Sequence, residues 1–268
     1  MFYDYYGLAR NPFDKHFLSE KDRFQSKDFI ETQNRLHFLK EARGIGLITA
    51  RPGMGKSYAM RCFAKSLNPN LFHLCYLCLS TVSVSEFYKQ FCRVLGLNER
   101  TGKSAMFKAI QEQLYYLYKE KRQPLILAID EAQYLSTGIL NDIKMLMNHG
   151  YDSLNCFSLI LCGESYLNSI LMRPVHEALR QRIVVHYNYE GLSDDEIRSY
   201  ILHKIRIAGG SETIMDGSAL SAIHGLSQGN PRTIDRIMTD ALTLGSQMEK
   251  KSIDSEIILA AANNQQLL

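Results

Sequence analysis

Short, continuously apolar runs alternate along the first 190 residues with longer stretches whose apolar positions recur every three or four residues. The runs Ile45–Thr49, Phe72–Cys78, Leu125–Ile129, Phe157–Cys162 and Ile183–Tyr187 predict strands. Between them, Thr32–Arg43, Gly55–Leu67, Ser83–Leu95, Ser104–Lys121, Ser136–Asn148 and Tyr166–Leu171 predict helices. Strands that are apolar throughout, rather than at every second position, belong in a parallel sheet covered on both faces. After Tyr189 the strand pattern stops. Ser193 and Glu196 have the spacing of a capping box that opens a helix through about Ala208, and further helices are predicted at Ser218–Ser227, Pro231–Lys250 and Asp254–Asn263. The pattern predicts an α/β domain over residues 1–189 and a small all-helical domain over 190–268.

The first predicted strand runs into Ala50-Arg51-Pro52-Gly53-Met54-Gly55-Lys56-Ser57, which opens the helix predicted over Gly55–Leu67. This is a phosphate-binding loop with alanine at the first glycine position. Gly53 and Gly55 let the backbone turn its N–H groups toward a phosphate at a helix N-terminus. Lys56 is placed to reach the β- and γ-phosphates and Ser57 to hold Mg²⁺, with Pro52 through Tyr58 forming the binding stretch. Ala50 is tolerable only if its backbone is ordinary, since a positive φ there costs on the order of 1 kcal/mol.

Leu125-Ile126-Leu127-Ala128-Ile129 ends in Asp130-Glu131. A carboxylate pair at the C-terminal tip of a buried strand lies where open α/β sheets bind ligands. Asp130 suits Mg²⁺ coordination through water, and Glu131 suits polarising the attacking water. With the phosphate loop upstream, the pair predicts an α/β P-loop NTPase that binds and hydrolyses ATP with Mg²⁺.

Three further places carry candidate chemistry. Glu164 or Ser165, just past the next strand, could sense the γ-phosphate or simply form a turn. Arg180 and Arg182 could reach a neighbouring subunit's site or form a solvated basic pair. In Gly229-Asn230-Pro231-Arg232, Asn230 suits an N-cap and Pro231 the first helical position. Arg232 then falls in the first turn, where the helix dipole disfavours a cation unless an anion such as a phosphate is near.

Composition adds little until its distribution is considered. Residues 1–190 hold 24 Lys/Arg against 18 Asp/Glu, and residues 191–268 hold 7 against 10, so a net charge of +6 faces one of −3. The asymmetry is compatible with an acidic partner such as double-stranded DNA, with Lys103, Lys108, Lys119, Lys121 and Arg122 as candidate contacts. Cys75 and Cys78 have half the spacing of a zinc site, but on a strand positions three apart face opposite sides. No run is long enough for a membrane span, and the N-terminus lacks the basic-then-apolar pattern of a secretory signal, so a cytoplasmic location and no membrane partner are expected.

The chain resembles AAA+ ATPases of the ExeA type, related to the transposition ATPases TniB, TnsC and IstB. Tyr5-Tyr6-Gly7-Leu8-Ala9-Arg10-Asn11-Pro12-Phe13, the phosphate loop, Asp130-Glu131-Ala132-Gln133, the Gly163 turn, Leu179-Arg180-Gln181-Arg182-Ile183 and Gly229-Asn230-Pro231-Arg232 carry the resemblance. It implies that Asn11, Pro12 and Phe13 lie near the adenine, that Arg180 or Arg182 is an inter-subunit finger, and that Arg232 is the sensor arginine of a helical lid. It further implies a homo-oligomer, a ring or helical filament with ATP at the subunit junctions. Ala50 and Glu164 depart from the family pattern, which more often has glycine and glutamine there.

The resemblance, together with the length and the missing membrane segment, points to an ATP-dependent, DNA-binding regulator of transposition that recruits or regulates a transposase. The alternative is a protein-remodelling or type II secretion-associated ATPase with no DNA role. A small-molecule kinase fits less well, because a kinase usually inserts a lid over its acceptor pocket. A nucleotide-locked scaffold would not need Glu131.

Overall fold

The computed structural model describes residues 1–14, 22–78, 82–98, 101–148 and 154–265. Its strands are β1 (Ile45–Thr49), β2 (His73–Cys78), β3 (Leu125–Asp130), β4 (Phe157–Gly163) and β5 (Ile183–Asn188). Its helices are α1 (Phe2–Tyr5), α2 (Lys27–Ala42), α3 (Lys56–Ser66), α4 (Val84–Val94), α5 (Lys103–Lys119), α6 (Thr137–Leu146), α7 (Tyr166–Leu171), α8 (Glu177–Arg180), α9 (Asp194–Ile207), α10 (Gly217–Ser227), α11 (Pro231–Gln247) and α12 (Ser255–Gln265). The chain divides into two compact units, one of Glu31–Pro52 and Lys56–Tyr189, the other of Met1–Ile30, Gly53–Gly55 and Glu190–Leu268. A single cut at residue 189 would put the opening thirty residues with the sheet; they group instead with the helices.

In the first unit the strands form one parallel sheet in the order β2-β3-β4-β1-β5. Alternate side chains of the central strands feed two cores. Leu47, Leu127, Ile129 and Leu161 pack with Phe87 and Phe91 of α4, Ile110 and Leu114 of α5, and Ile139 and Ile143 of α6. Ile48, Ile126, Ala128 and Ile160 pack on the other face with Leu36 and Leu39 of α2 and Met60 and Phe63 of α3. Covered on both faces, β1, β3 and β4 are buried at every position, as their unbroken apolar runs require. The edge strands differ: β2 and β5 end the strand order, each with a neighbour on one side, and Tyr76 of β2 and Val184 of β5 are exposed. α2 begins five residues earlier than apolar spacing predicts, because the Ser26 hydroxyl takes the Phe29 N–H at 3.2 Å and continues the helix backward.

In the second unit, α9–α12 enclose a core of Ile201, Ile205, Ile234, Met238, Leu242, Ile253 and Ile258. The predicted capping box forms: the Ser193 hydroxyl accepts the Glu196 N–H, and the Glu196 carboxylate accepts the Ser193 N–H at 3.1 Å. The opening segment is built into the same core. Tyr6 donates its hydroxyl to the Lys250 carbonyl at 2.9 Å, and burial pushes its pKa up to about 12. The Ala9 N–H meets the Ala208 carbonyl at 2.9 Å. Asp28 accepts the N–H groups of Glu190 and Gly191, fixing the start of the helical segment. Among the described residues, no helix is long and apolar enough to cross a membrane.

An ion pair lies inside this core. Lys204 donates to Asp235 at 2.7 Å, Tyr200 donates to the same carboxylate oxygen at 2.8 Å, and the ammonium sits 5.4 Å from the Phe13 ring centroid. Removing one partner leaves a buried charge unpaired. Asp235→Ala should therefore lose about 3–5 kcal/mol in denaturant unfolding, and the uncharged pair Lys204→Met with Asp235→Leu should recover most of it.

Candidate nucleotide site

β1 ends at Thr49 and α3 begins at Lys56, so the phosphate loop occupies the C-terminal edge of the sheet. Ala50 does not have a positive φ; its N–H donates to the Gly163 carbonyl at 3.2 Å, extending the β1–β4 ladder by one residue. The alanine is accommodated because this position still behaves as strand. Gly53 and Gly55 do adopt positive φ, +88° and +93°. A Cβ on Gly53 would also lie 2.7 Å from Asn230 Oδ1 and 2.8 Å from Arg232 Cβ, so glycine is required twice over.

Lys56 is buried and donates its ammonium to the Ala50 carbonyl at 2.8 Å, with the Arg51 carbonyl at 3.5 Å. Burial lowers its pKa from the ordinary lysine value, and the neighbouring Cys162, Glu131, Asp130 and Glu164 counteract that. Ser57 donates its hydroxyl to Asp130 Oδ2 at 2.8 Å. The loop serine and the β3 aspartate, 73 residues apart in sequence, thus meet without further rearrangement.

Asp130 is the hub of the site. It is 4% exposed, yet both carboxylate oxygens are satisfied. Oδ2 takes the Ser57 hydroxyl and the Tyr76 hydroxyl, the latter at 2.6 Å, and Oδ1 takes the Glu131 N–H at 3.0 Å. The carboxylate and the serine hydroxyl are hard oxygen donors of the kind Mg²⁺ selects, so the donor set fits that ion. Tyr76, with its ring exposed at the β2 edge and its hydroxyl on Asp130, has its pKa raised by desolvation and by the Asp130 carboxylate. Motif spacing does not reveal Tyr76. Its role depends on the β2–β3 register, which pairs Tyr76 with Ala128 and Cys78 with Asp130.

Glu131 follows immediately, with left-handed backbone (φ +54°, ψ +37°) that a non-glycine residue adopts at a cost on the order of 1–2 kcal/mol. It caps a short 3₁₀ turn, Ala132–Tyr134, and its carboxylate accepts the Gln133 side-chain N–H at 2.7 Å. Glu164 offers its backbone N–H to Gln133 Oε1 at 3.0 Å. Gln133 appears in the sequence motif but has no role there; the structure places it between two predicted site residues. Cys75 is buried and Cys78 exposed, so the two thiols lie on opposite sides of β2. Ser165 precedes α7, next to Glu164.

The remaining candidates are placed as follows. Asn230 caps α11, accepting the Arg232 N–H at 3.0 Å, and Pro231 sits at the first helical position. Arg232 is exposed beside Gly53. Phe13 is 3% exposed in the helical core, and Asn11 caps the turn below it, accepting the Phe13 N–H at 3.0 Å. Pro12 is buried between them, Met54 is buried, Pro52 is exposed and Tyr58 is half-buried. Arg180 donates to the carbonyls of Leu171 and Arg173 at 2.8 and 3.0 Å, closing the end of α7, and Arg182 donates to the Ala178 carbonyl at 3.1 Å. Of the basic candidates, Lys103 pairs with Asp142 and Lys108 with Glu112, while Lys119, Lys121 and Arg122 are exposed at the end of α5.

Residues 39–171 match the family model described as AAA domain. Over 97% of its length the chain is 27% identical to general secretion pathway protein A of Aeromonas hydrophila, and it spans about half, 48%, of that relative. Among solved structures, Cdc6p of Pyrobaculum aerophilum superposes with a TM-score of 0.66 at 14% identity, covering 90% of this chain and 67% of that one. The ORC1 protein of Aeropyrum pernix, in complex with DNA, gives 0.64 at 15% identity over 92% and 68%. The RuvB Holliday junction branch migration motor of Thermotoga maritima gives 0.57 at 16% over 92% and 70%. The fold is that of an AAA+ P-loop NTPase. The AAA domain and the secretion relative together support an AAA+ ATPase of the ExeA type, and with it nucleotide binding.

Tyr76 thus fixes the carboxylate suited to the metal from outside the metal's own reach. Removing such an outer partner commonly weakens metal binding 10- to 100-fold. Tyr76→Phe should weaken Mg²⁺ binding to the nucleotide-loaded chain about 10-fold, read from a calorimetric Mg²⁺ titration at saturating nucleotide.

Proposed function

We propose that this chain hydrolyses ATP with Mg²⁺. The observation that carries the reading is the meeting of Ser57 with Asp130 at 2.8 Å beside Lys56 and Glu131. Lys56 would neutralise phosphate charge, Ser57 and Asp130 would hold Mg²⁺, and Glu131 would take a proton from the attacking water. When bound, the metal supplies charge stabilisation on the phosphate oxygens. Arg232, against the Gly53 turn, would serve as the phosphate-sensing arginine. The backbone around Asn11, Pro12 and Phe13 is the candidate adenine contact, and Glu164 contributes through its N–H rather than as a direct γ-phosphate donor. Arg180 or Arg182 would complete a neighbouring subunit's site in a homo-oligomer.

The wider role we propose is ATP-dependent binding of double-stranded DNA, as in a regulator of transposition; the transposase partnership rests on the resemblance alone. A basic and aromatic patch supports the DNA role. Arg43 lies 4.8 Å from the Tyr118 ring, and Lys119, Lys121, Arg122, Tyr115 and Tyr116 are exposed around the end of α5. Arg43 and Lys119 both pull on the buried Cys156 thiol, which burial raises to about 11, so these two cations flank one spot. Arg43 precedes β1 and Arg122 precedes β3, so in a parallel sheet the patch lies at the edge opposite the Asp130 tip. Cations and tyrosines together suit phosphate backbone and stacked bases, with little sequence preference.

The secretion-associated reading is favoured by a different observation, the similarity of nearly the whole chain to general secretion pathway protein A. Hydrolysis measured with and without double-stranded DNA across a salt series separates the two, with Lys56→Ala as blank. The DNA reading predicts stimulation that fades with salt, and its loss in the pair Lys121→Glu with Arg122→Glu while the DNA-independent rate is retained. An equal rate with and without DNA, and no DNA retained on a filter with ATP, would favour the secretion reading.

A further inference from the structure

We propose that Gln133 is a positioning residue that holds Glu131 toward its water and couples that orientation to the Gly163–Glu164 turn at the tip of β4. The proposal rests on Glu131 acting as the base for hydrolysis. Three observations converge on Gln133. It is 9% exposed, its amide nitrogen donates to Glu131 Oε2 at 2.7 Å, and its amide oxygen accepts the Glu164 N–H at 3.0 Å. The direction of the amide is forced. A carboxylate only accepts and a backbone N–H only donates, so the NH₂ must face Glu131 and the C=O must face Glu164.

A fourth observation is steric. A Cβ on Gly163 would fall 2.6 Å from Gln133 Oε1, with Leu167 Cδ2 at 3.0 Å as the next obstacle. Gly163 is therefore the space into which the Gln133 amide fits. Gly163 is also the last residue of β4, registered with Thr49 at the start of the phosphate loop, and its carbonyl accepts the Ala50 N–H. A shift at the loop can thus reach Glu131 through one strand end and one side chain. Tethering one carboxylate oxygen leaves Oε1 as the face for water. It also supplies rotational restraint that the left-handed backbone of Glu131 does not give the side chain.

The test uses the full chain, a fluorescent ATP analogue for affinity, and single-turnover ATP hydrolysis. Gln133→Ala should bind nucleotide as wild type does and hydrolyse about 10- to 100-fold more slowly, the size of effect expected from a misplaced reacting group. Gln133→Glu keeps the acceptor for the Glu164 N–H but replaces the donor with an anion, and should be at least as slow. Gly163→Ala should slow the wild-type chain and have no further effect in the Gln133→Ala background, where its clash with the amide is gone. If Gly163→Ala costs the same factor in both backgrounds, its effect runs through Leu167 and the coupling is overturned. If Glu131→Gln is inactive while Gln133→Ala hydrolyses at the wild-type rate, the positioning role alone is overturned. If Glu131→Gln hydrolyses as fast as wild type, the base assignment fails and the proposal falls with it.

Discussion

The hydrogen bond from Ser57 to Asp130 is the constraint around which the C-terminal edge of the sheet is organised. It joins the first turn of α3 to the tip of β3, although β4 lies between β1 and β3 in the sheet. For that bond to form, the loop after β1 must turn tightly, which the positive φ of Gly53 and Gly55 permits. β3 must deliver a carboxylate from a buried position without leaving it unsatisfied, and Ser57, Tyr76 and the Glu131 N–H meet that demand. A buried carboxylate lacking such donors would be costly. With them, Asp130 is held in place before any ligand arrives, so little reorganisation remains when one binds.

The same economy explains the surroundings of Glu131. Its left-handed backbone turns the chain out of β3 into the 3₁₀ turn, and that turn carries Gln133 back toward the β4 tip. Lys56 is held on the loop's own carbonyls while Asp130, Glu131 and Glu164 oppose its desolvation. The cluster pairs one cation with several acids, an excess of negative charge that a divalent cation such as Mg²⁺ would offset.

Much of this was legible in the sequence because local rules act over short spans. The central strands announced themselves by unbroken apolar runs, and the phosphate loop and Asp130-Glu131 by residue types that few other contexts require. Asn230-Pro231 and Ser193 with Glu196 forecast their caps because capping involves residues only a few positions apart. What was not legible depended on distant pairing. The edge character of β2 and β5 is a property of strand order, not of composition. The opening segment groups with the helices through contacts made some 200 residues away, such as Tyr6 with Lys250. Tyr76 and Gln133 acquire roles only once β2 and β4 stand in register beside β3.

The most direct test of the account is a calorimetric titration of ATP into wild type and Asp130→Asn, each with and without Mg²⁺. If Asp130 is the fixed seat for the metal, wild type gains affinity when Mg²⁺ is present, and the nearly isosteric variant shows no such gain while still binding the nucleotide through its loop. A Mg²⁺-dependent gain in Asp130→Asn equal to that of wild type would contradict the account, because the interaction on which the rest of the site depends would then have no part in holding the metal.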